Sequence, residues 1–133
     1  MSEIVTTERH YPSPPEAVFA AWRDLNTLTR WWGCAPETLW RVHTWDFGVG
    51  GEIHVSQTFG TEDYEVRGDF VEIDEPSRIV FTWEHDQVIT VTIKPDESGS
   101  IMRVDHAGLD SAMHPIVTGG WAASFDHITE ALT

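Results

Sequence analysis

The stretch RIVFTWEHDQVITVTIK, residues 78–94, predicts two antiparallel strands joined by a tight turn. Every second residue in both halves is apolar, as in strands with one buried face; these residues are Ile79, Phe81, Trp83, Ile89, Val91 and Ile93. Opposed residues in a hairpin point to the same face, so the pattern requires an odd loop of three residues, either 85–87 or 86–88. Because this turn holds no glycine, Asp86 or a neighbour is expected to take a left-handed backbone conformation.

Outside this hairpin the chain predicts more strands, with helices before and after them. Strands are expected at residues 3–11, 39–47, 52–59, 62–74, 78–85, 88–94 and 100–107. Ser13 should cap a first helix, with Pro14 at its first position and Glu16 completing the capping box. A second short helix follows, capped near Asp24 or Asn26. The short turns between the later strands favour antiparallel hairpins over crossovers.

The C-terminal segment, from about Ser111 to Leu132, returns to a helical period. Its apolar face consists of Val117, Trp121, Ser124, Phe125, Ile128 and Leu132. The predicted order is therefore β-α-α-β-β-β-β-β-β-α, an α+β fold in which this long helix covers one face of a sheet of six to seven strands. The chain has 133 residues, and we expect residues 1–133 to form a single domain.

The charge balance excludes some classes of partner. The net charge is −14, with 22 acidic and 8 basic residues. Such a surface repels phosphate backbones and anionic lipids, so we expect no binding to nucleic acid or to a membrane. The N-terminus lacks the features of a signal peptide, and no apolar run approaches the roughly 20 residues that span a bilayer, which favours a cytoplasmic location. The single cysteine, Cys34, cannot form an internal disulfide.

Polar residues should gather at one end of the predicted sheet. His106 ends one inward-facing strand at this end, and His85 either ends another or lies in the loop after it. His114, near the start of the C-terminal helix, lies beside them. Gln57 and Tyr64 flank an earlier hairpin at the same end. Four interpretations compete: histidines with no special role, the polar end of a small-molecule pocket, a metal site, and an acid–base pair. The spacings match no short metal motif, so we predict neither a metal ligand nor a cofactor.

The predicted binding groove lies between the sheet and the C-terminal helix. Its walls would be Trp45, Phe47, Val55, Val66, Phe70, Phe81, Trp83, Ile89, Val91, Val104, Trp121 and Phe125. His106 and His85 would orient a polar group of an apolar or amphipathic small molecule. Two alternatives stay open: a protein-interaction module, including one that modulates a chaperone ATPase, and a cyclase-like or hydrolase-like enzyme using the same two histidines as acid and base. No catalytic constellation is evident, which favours binding over catalysis.

Several phrases occur in an order that resembles one family. They are ERHYPSPPEAVFAAWRD, LTRWWG, WDFGVGGE, GDFVEIDEPSRIVFTW, DHAGL and GGWAASFDHITEAL. The set resembles the activator of heat-shock protein 90 ATPase homologue-like family, within the START-like and polyketide-cyclase-like (SRPBCC) superfamily. This resemblance implies a helix-grip fold, in which a strongly bent antiparallel sheet wraps around the C-terminal helix and encloses a cavity for hydrophobic or amphipathic ligands. It carries over no catalytic residue.

This chain departs from the family pattern in two places. Gly48 stands where the family often has an arginine, and the loop between His85 and Val88 is shorter than usual. The chaperone-activator role belongs to relatives with an additional domain, which we do not expect here. Strand edges that stay unpaired in one copy can pair with those of a second copy, so a homodimer is a further alternative.

Overall fold

The computed structural model describes residues 3–31, 38–59, 61–84, 86–109 and 121–128. Strand β1 spans Glu3–Tyr11, and the helices α1 and α2 after it span Pro15–Arg23 and Leu25–Trp31. The strands that follow are β2 Thr38–Trp45, β3 Glu52–Phe59, β4 Glu62–Asp74, β5 Arg78–Trp83, β6 Gln87–Asp96 and β7 Gly99–Leu109. Residues 121–128 form helix α3. The predicted order of elements is confirmed.

The strands pair antiparallel in one 7-stranded sheet of order β1-β7-β6-β5-β4-β3-β2. Strands β2 to β7 form a meander, whereas β1 pairs with β7 at the far edge. Strands β1 and β2 are therefore consecutive in sequence but lie at opposite edges. Helices α1 and α2 connect them, with α1 packed against β6 and β7 and α2 against β2. This is the helix-grip arrangement of an α+β fold.

The β5–β6 turn confirms the odd loop length but not its position. Strand pairing joins Trp83 to Gln87, so the turn is 84–86, and both predicted positions are wrong. The left-handed residue is Glu84, with φ 62°. Its backbone N–H donates to the carbonyl of Arg67 on β4 over 3.0 Å, in the same register that pairs Phe81 with Phe70.

Helix α1 begins later than its sequence predicts. Pro14 is the N-cap, Pro15 is the first helical residue, and no side chain caps the helix, so the predicted capping box at Ser13 is wrong. The Ser13 carbonyl instead accepts a hydrogen bond of 2.6 Å from the Ser100 hydroxyl on β7. The chain is thus still attached to the sheet at this point. Helix α2 starts after Asp24, as predicted.

One face of the sheet, which we call the inner face, is covered by the helices. Trp22 of α1 lies at its centre and is fully buried. The Trp22 ring centroid lies 4.8 Å from that of Trp31, 6.2 Å from that of Phe81 and 6.2 Å from that of Trp121 on α3. The indole N–H of Trp22 points to the sulfur of Met102 on β7, 3.2 Å away. Trp22 of α1 therefore packs against α2, α3 and the sheet at the same time.

Candidate functional site

His106 is a buried polar residue on the inner face of β7. It pairs with Val5 on β1 and with Ile89 on β6, and only 5% of it is exposed. These neighbours carry no charge. Burial lowers the pKa of His106 to about 4, because a charged imidazolium would lose its hydration in this apolar setting. The imidazole is therefore neutral near pH 7.

The hydrogen bonds of His106 determine its tautomer. The indole N–H of Trp121 donates to Nδ1 of His106 over 3.2 Å. An indole nitrogen can only donate, so Nδ1 accepts and the ring proton is on Nε2. That N–H then donates to the Oε1 of Gln87 over 2.6 Å. Both ring nitrogens are thus engaged, and His106 connects α3 to the first residue of β6.

Gln87 completes this polar group at the end of the inner face. It is partly exposed and lies directly opposite Trp83, which is buried. His106 occupies the amide oxygen, whereas the amide nitrogen donates to no group in the described part of the chain. We refer to Trp83, Gln87, His106 and Trp121 together as the rim. The rim offers two amide N–H donors among three aromatic rings.

A glycine on β7 determines how closely the 84–86 turn approaches the rim. Gly108 has φ +87°, and a Cβ at this position would lie 2.1 Å from the carbonyl oxygen of Asp86. Any larger residue would force the turn away from β7. Gly108 therefore keeps Gln87, which follows the turn, beside His106.

The predicted groove residues come together in one hydrophobic cluster. On the inner face the structure buries Trp45, Val55, Val66, Phe70, Phe81, Trp83, Ile89, Val91, Val104, Trp121 and Phe125. Phe47 is partly buried after β2, with its ring centroid 5.0 Å from that of Phe70. The side chains of Gln57 and Tyr64 lie outside the described residues, as do His85 and His114. The backbones of Gln57 and Tyr64 pair with each other across β3 and β4.

Sequence reasoning missed the role of Trp22. The carbonyl of Trp22 accepts a 2.8 Å bond from the Trp45 indole, so the backbone of α1 is held over the sheet as well as the ring. Within the described residues, Trp22 occupies the middle of the predicted groove. The sequence did contain a signal for this role, since Trp22 lies on the apolar face of a helix that has to cross the sheet.

Sequence reasoning also assigned Gln87 to a loop. With the turn at 85–87 or 86–88, Gln87 would not belong to either strand. In the observed register it is the first residue of β6 and faces inward. Gln87 shares the phase of Ile89, but because the strand was expected to begin at Val88, its side chain was not assigned to a face.

Three further observations concern the described residues as a whole. Within the described ranges, no three or more His, Cys, Asp and Glu side chains are grouped so as to hold a metal ion. The rings of His43 and His54 stack with centroids 4.7 Å apart on the opposite face, where they contact Ser56 and Glu65. Among the helices that the structure describes, none is long and apolar enough to cross a membrane.

Several solved structures share this fold. A protein from Chromobacterium violaceum superposes with a TM-score of 0.88 at 21% identity, over 97% of this chain and 96% of that one. A protein of unknown function from Staphylococcus aureus gives 0.84 at 18% identity, over 99% and 94%. The AHSA1-like protein from Aeromonas hydrophila gives 0.79 at 19% identity, over 98% and 92%. At these identities the likeness extends to the fold alone.

The family comparison covers nearly the whole chain. The model of the family described as "Activator of Hsp90 ATPase homolog 1-like protein" matches residues 12–133. A comparison with curated proteins gave no match. The matched range includes both helices after β1, the meander and the rim. The chain therefore belongs to the Activator of Hsp90 ATPase homolog 1-like protein family.

Proposed function

We propose that this protein binds a small, uncharged, largely aromatic molecule at the rim. The observation that carries the proposal is the amide of the partly exposed residue Gln87, whose oxygen is held by His106 and whose nitrogen donates to no group in the described part of the chain. Small-molecule sites typically combine apolar walls with a few convergent polar groups. The rim has this composition, since Trp83 and Trp121 supply the walls and Gln87 supplies the donors.

Gln87, rather than His106, would make the hydrogen bond to the ligand. A ligand that bonded to His106 would first have to break its bond to Trp121 or to Gln87. The histidine instead orients the amide, because its N–H holds the Oε1 of Gln87 and so directs the NH₂ group elsewhere. Two N–H donors select an acceptor, such as a carbonyl oxygen. His106 therefore acts as a positioning residue.

An uncharged ligand fits the electrostatics of the chain. The net charge of −14 repels anions at long range. None of the rim side chains Trp83, Gln87, His106 and Trp121 is ionised near pH 7, so none compensates a charge brought into the site. Removing about 200 Å² of apolar surface from water would contribute roughly 5 kcal/mol before the entropic cost of association. A weak to moderate affinity follows for a two-ring compound.

The acid–base alternative draws no support from His106. A general acid or base needs a ring nitrogen that can reach the substrate, and both nitrogens are engaged here. A pKa near 4 also leaves the imidazole without its second proton at neutral pH. The protein-interaction alternative stays a prediction.

Three matched compounds test the proposal. 2-Acetylnaphthalene offers a carbonyl acceptor, 2-ethylnaphthalene has nearly the same shape without one, and 2-naphthoate is an anion. We expect quenching of tryptophan fluorescence and a raised melting temperature, strongest for the ketone and weakest for the anion. An unchanged melting temperature and emission with all three compounds would contradict the proposal.

Variants of Gln87 test the donor directly. Gln87→Glu retains an acceptor for the His106 N–H but removes both amide donors, and Gln87→Met removes donor and acceptor. Each should weaken ketone binding about tenfold, the value of one hydrogen bond of about 1.4 kcal/mol. Binding of 2-ethylnaphthalene should change little in Gln87→Met. Thr92→Val, on the opposite face of β6, is the matched control and should bind like the parent protein.

A further inference from the structure

Thr7 carries a buried hydroxyl group that has no hydrogen-bond partner. It lies on β1, where it pairs with Val104 on the inner face of the sheet. The residue as a whole is only partly buried, but its Oγ1 atom is enclosed and unpaired. Among the described side chains, this is the one buried oxygen or nitrogen that lacks a partner.

An unpaired hydroxyl is unfavourable in the free protein. Its hydration is lost on folding, and no protein group replaces it. Valine has the same shape and suits a strand equally well, so packing and strand propensity give no reason for threonine here. Nearly all buried polar groups in folded proteins find a partner. The hydroxyl of Thr7 is therefore explained if it pairs with a group that reaches it when the side chains enclosing its Oγ1 move aside.

The position of Thr7 connects it with the rim. Val5, two residues earlier on β1, pairs with His106, so Thr7 is the diagonal neighbour of His106 at about 7–8 Å. Two residues later, the guanidinium of Arg9 lies 6.0 Å from the ring centroid of Phe125 on α3. Thr7 thus lies along the line where β1 and α3 meet, one step inward from the rim.

We propose that Thr7 is the inner anchor for the ligand bound at the rim, and that the ligand is a neutral aromatic molecule with two polar groups. One group is an acceptor for the amide of Gln87. The other is a hydroxyl or carbonyl at the opposite end, which pairs with the hydroxyl of Thr7. This inference rests on the proposed function, because it assigns a second contact to the same site.

Charge complementarity also favours a neutral inner group. The side chain of Arg9, the cation nearest to Thr7 on the inner face of β1, is already paired with Asp126 on α3. An anionic group at Thr7 would have to compete with that carboxylate. A neutral hydroxyl or carbonyl needs only the single donor or acceptor that Thr7 provides.

The variant Thr7→Val tests the contact at Thr7 independently of the contact at Gln87. In the free protein this variant should raise the urea midpoint of unfolding, since it removes an unpaired buried hydroxyl. Binding is measured with 2-acetyl-6-hydroxynaphthalene, which has polar groups on both rings, and with 2-acetylnaphthalene, which has one. Thr7→Val should weaken the first compound about tenfold and leave the second unchanged. Thr7→Ser should retain the preference for the first compound, and Thr90→Val on the outer face of β6 should alter neither.

Each result decides the inference. A lower urea midpoint for Thr7→Val would overturn it, because the hydroxyl would then be satisfied in the free protein. Equal binding of the two-group ketone to Thr7→Val and to the parent would also overturn it, while binding of both ketones to the parent left the proposed function intact. If neither ketone binds the parent, the proposed function fails and the anchor fails with it.

Discussion

Trp121 and His106 meet through an indole N–H that donates to Nδ1 over 3.2 Å. This bond exists only while Nδ1 is unprotonated. Protonation of Nδ1 would place its N–H against the indole N–H of Trp121, so two donors would face each other. His106 is only 5% exposed, so water cannot separate them easily. The contact between α3 and the last strand therefore depends on the protonation state of one imidazole.

The free energy of unfolding should fall as the pH is lowered from about 6.5 to about 4. Burial lowers the pKa of His106 from 6.5 to about 4 in the folded protein, so in this window the unfolded chain takes up a proton that the folded chain does not. The contribution is fully present above pH 6.5 and declines as pH falls, by about 3 kcal/mol in all. Urea unfolding at a series of pH values measures it.

Two variants isolate this effect. His106→Gln cannot titrate, so the slope of unfolding free energy between pH 6.5 and 4.5 should become shallower. Thr90→Val, on the outer face of β6, removes no titratable group and should leave the slope unchanged. An identical slope in His106→Gln and the parent protein would show that His106 is not the group responsible.

Trp22→Ala should cost about 3–5 kcal/mol of stability, the range for removing a large buried aromatic side chain. The ring is fully buried between α3 and the sheet, and its removal leaves a void lined by Trp31, Phe81 and Trp121. Denaturant unfolding measures the loss. Leu25→Ala on the next helix is the control, because Leu25 is 46% exposed and should cost far less. Similar losses for both variants would mean that Trp22 does not fill the core.

Tyr11→Phe should destabilise the protein by about 1 kcal/mol. The buried hydroxyl of Tyr11 donates to the carbonyl of Phe125 over 3.0 Å and so attaches α3 to β1. Burial raises the pKa of Tyr11 well above its ordinary value, so this hydroxyl stays protonated in the folded state. Amide hydrogen exchange across residues 121–128 should accelerate in the variant. Unchanged exchange there would contradict the attachment.

Gly108→Ala should lower the melting temperature and weaken ligand binding together. The added Cβ would meet the Asp86 carbonyl at 2.1 Å, and alanine is strained at φ +87°. The turn must then move, and Gln87 moves with it. Gly48→Ala provides the comparison, since nothing lies within 4 Å of a Cβ at Gly48 and its φ is not left-handed. A Gly108→Ala variant as stable as Gly48→Ala would show that the turn accommodates a Cβ at position 108, which would contradict the prediction.

Local patterns were enough to predict most of the fold. The two-residue period placed Ile79, Phe81 and Trp83 on one face, and the structure buries all three. The same period put His106 on the inner face of the last strand, as observed. These properties depend on neighbours along one strand, so the sequence contains them directly.

The errors arose where a distant backbone group decides the local structure. The β5–β6 turn begins at Glu84, which takes the left-handed conformation while its N–H still bonds to Arg67 on β4. Helix α1 starts late because Ser13 is held by Ser100. Neither partner can be identified from the residues around the affected position. The amide of Gln87 was missed because the strand was expected to begin at Val88, so Gln87 was assigned to the loop although it shares the phase of Ile89.

The placement of β1 has a consequence for how the chain folds. Thr6 on β1 bonds to Asp105 on β7, 99 positions along the chain, whereas the strands of the β2–β7 meander pair with close neighbours in sequence. Closing a loop of that length costs about 4 kcal/mol of entropy, so β1 should be among the last strands to join the sheet. The same strand carries Thr7 and Tyr11. A ligand held by Thr7 would consequently slow the detachment of β1, and it would lengthen the lifetime of the complete sheet.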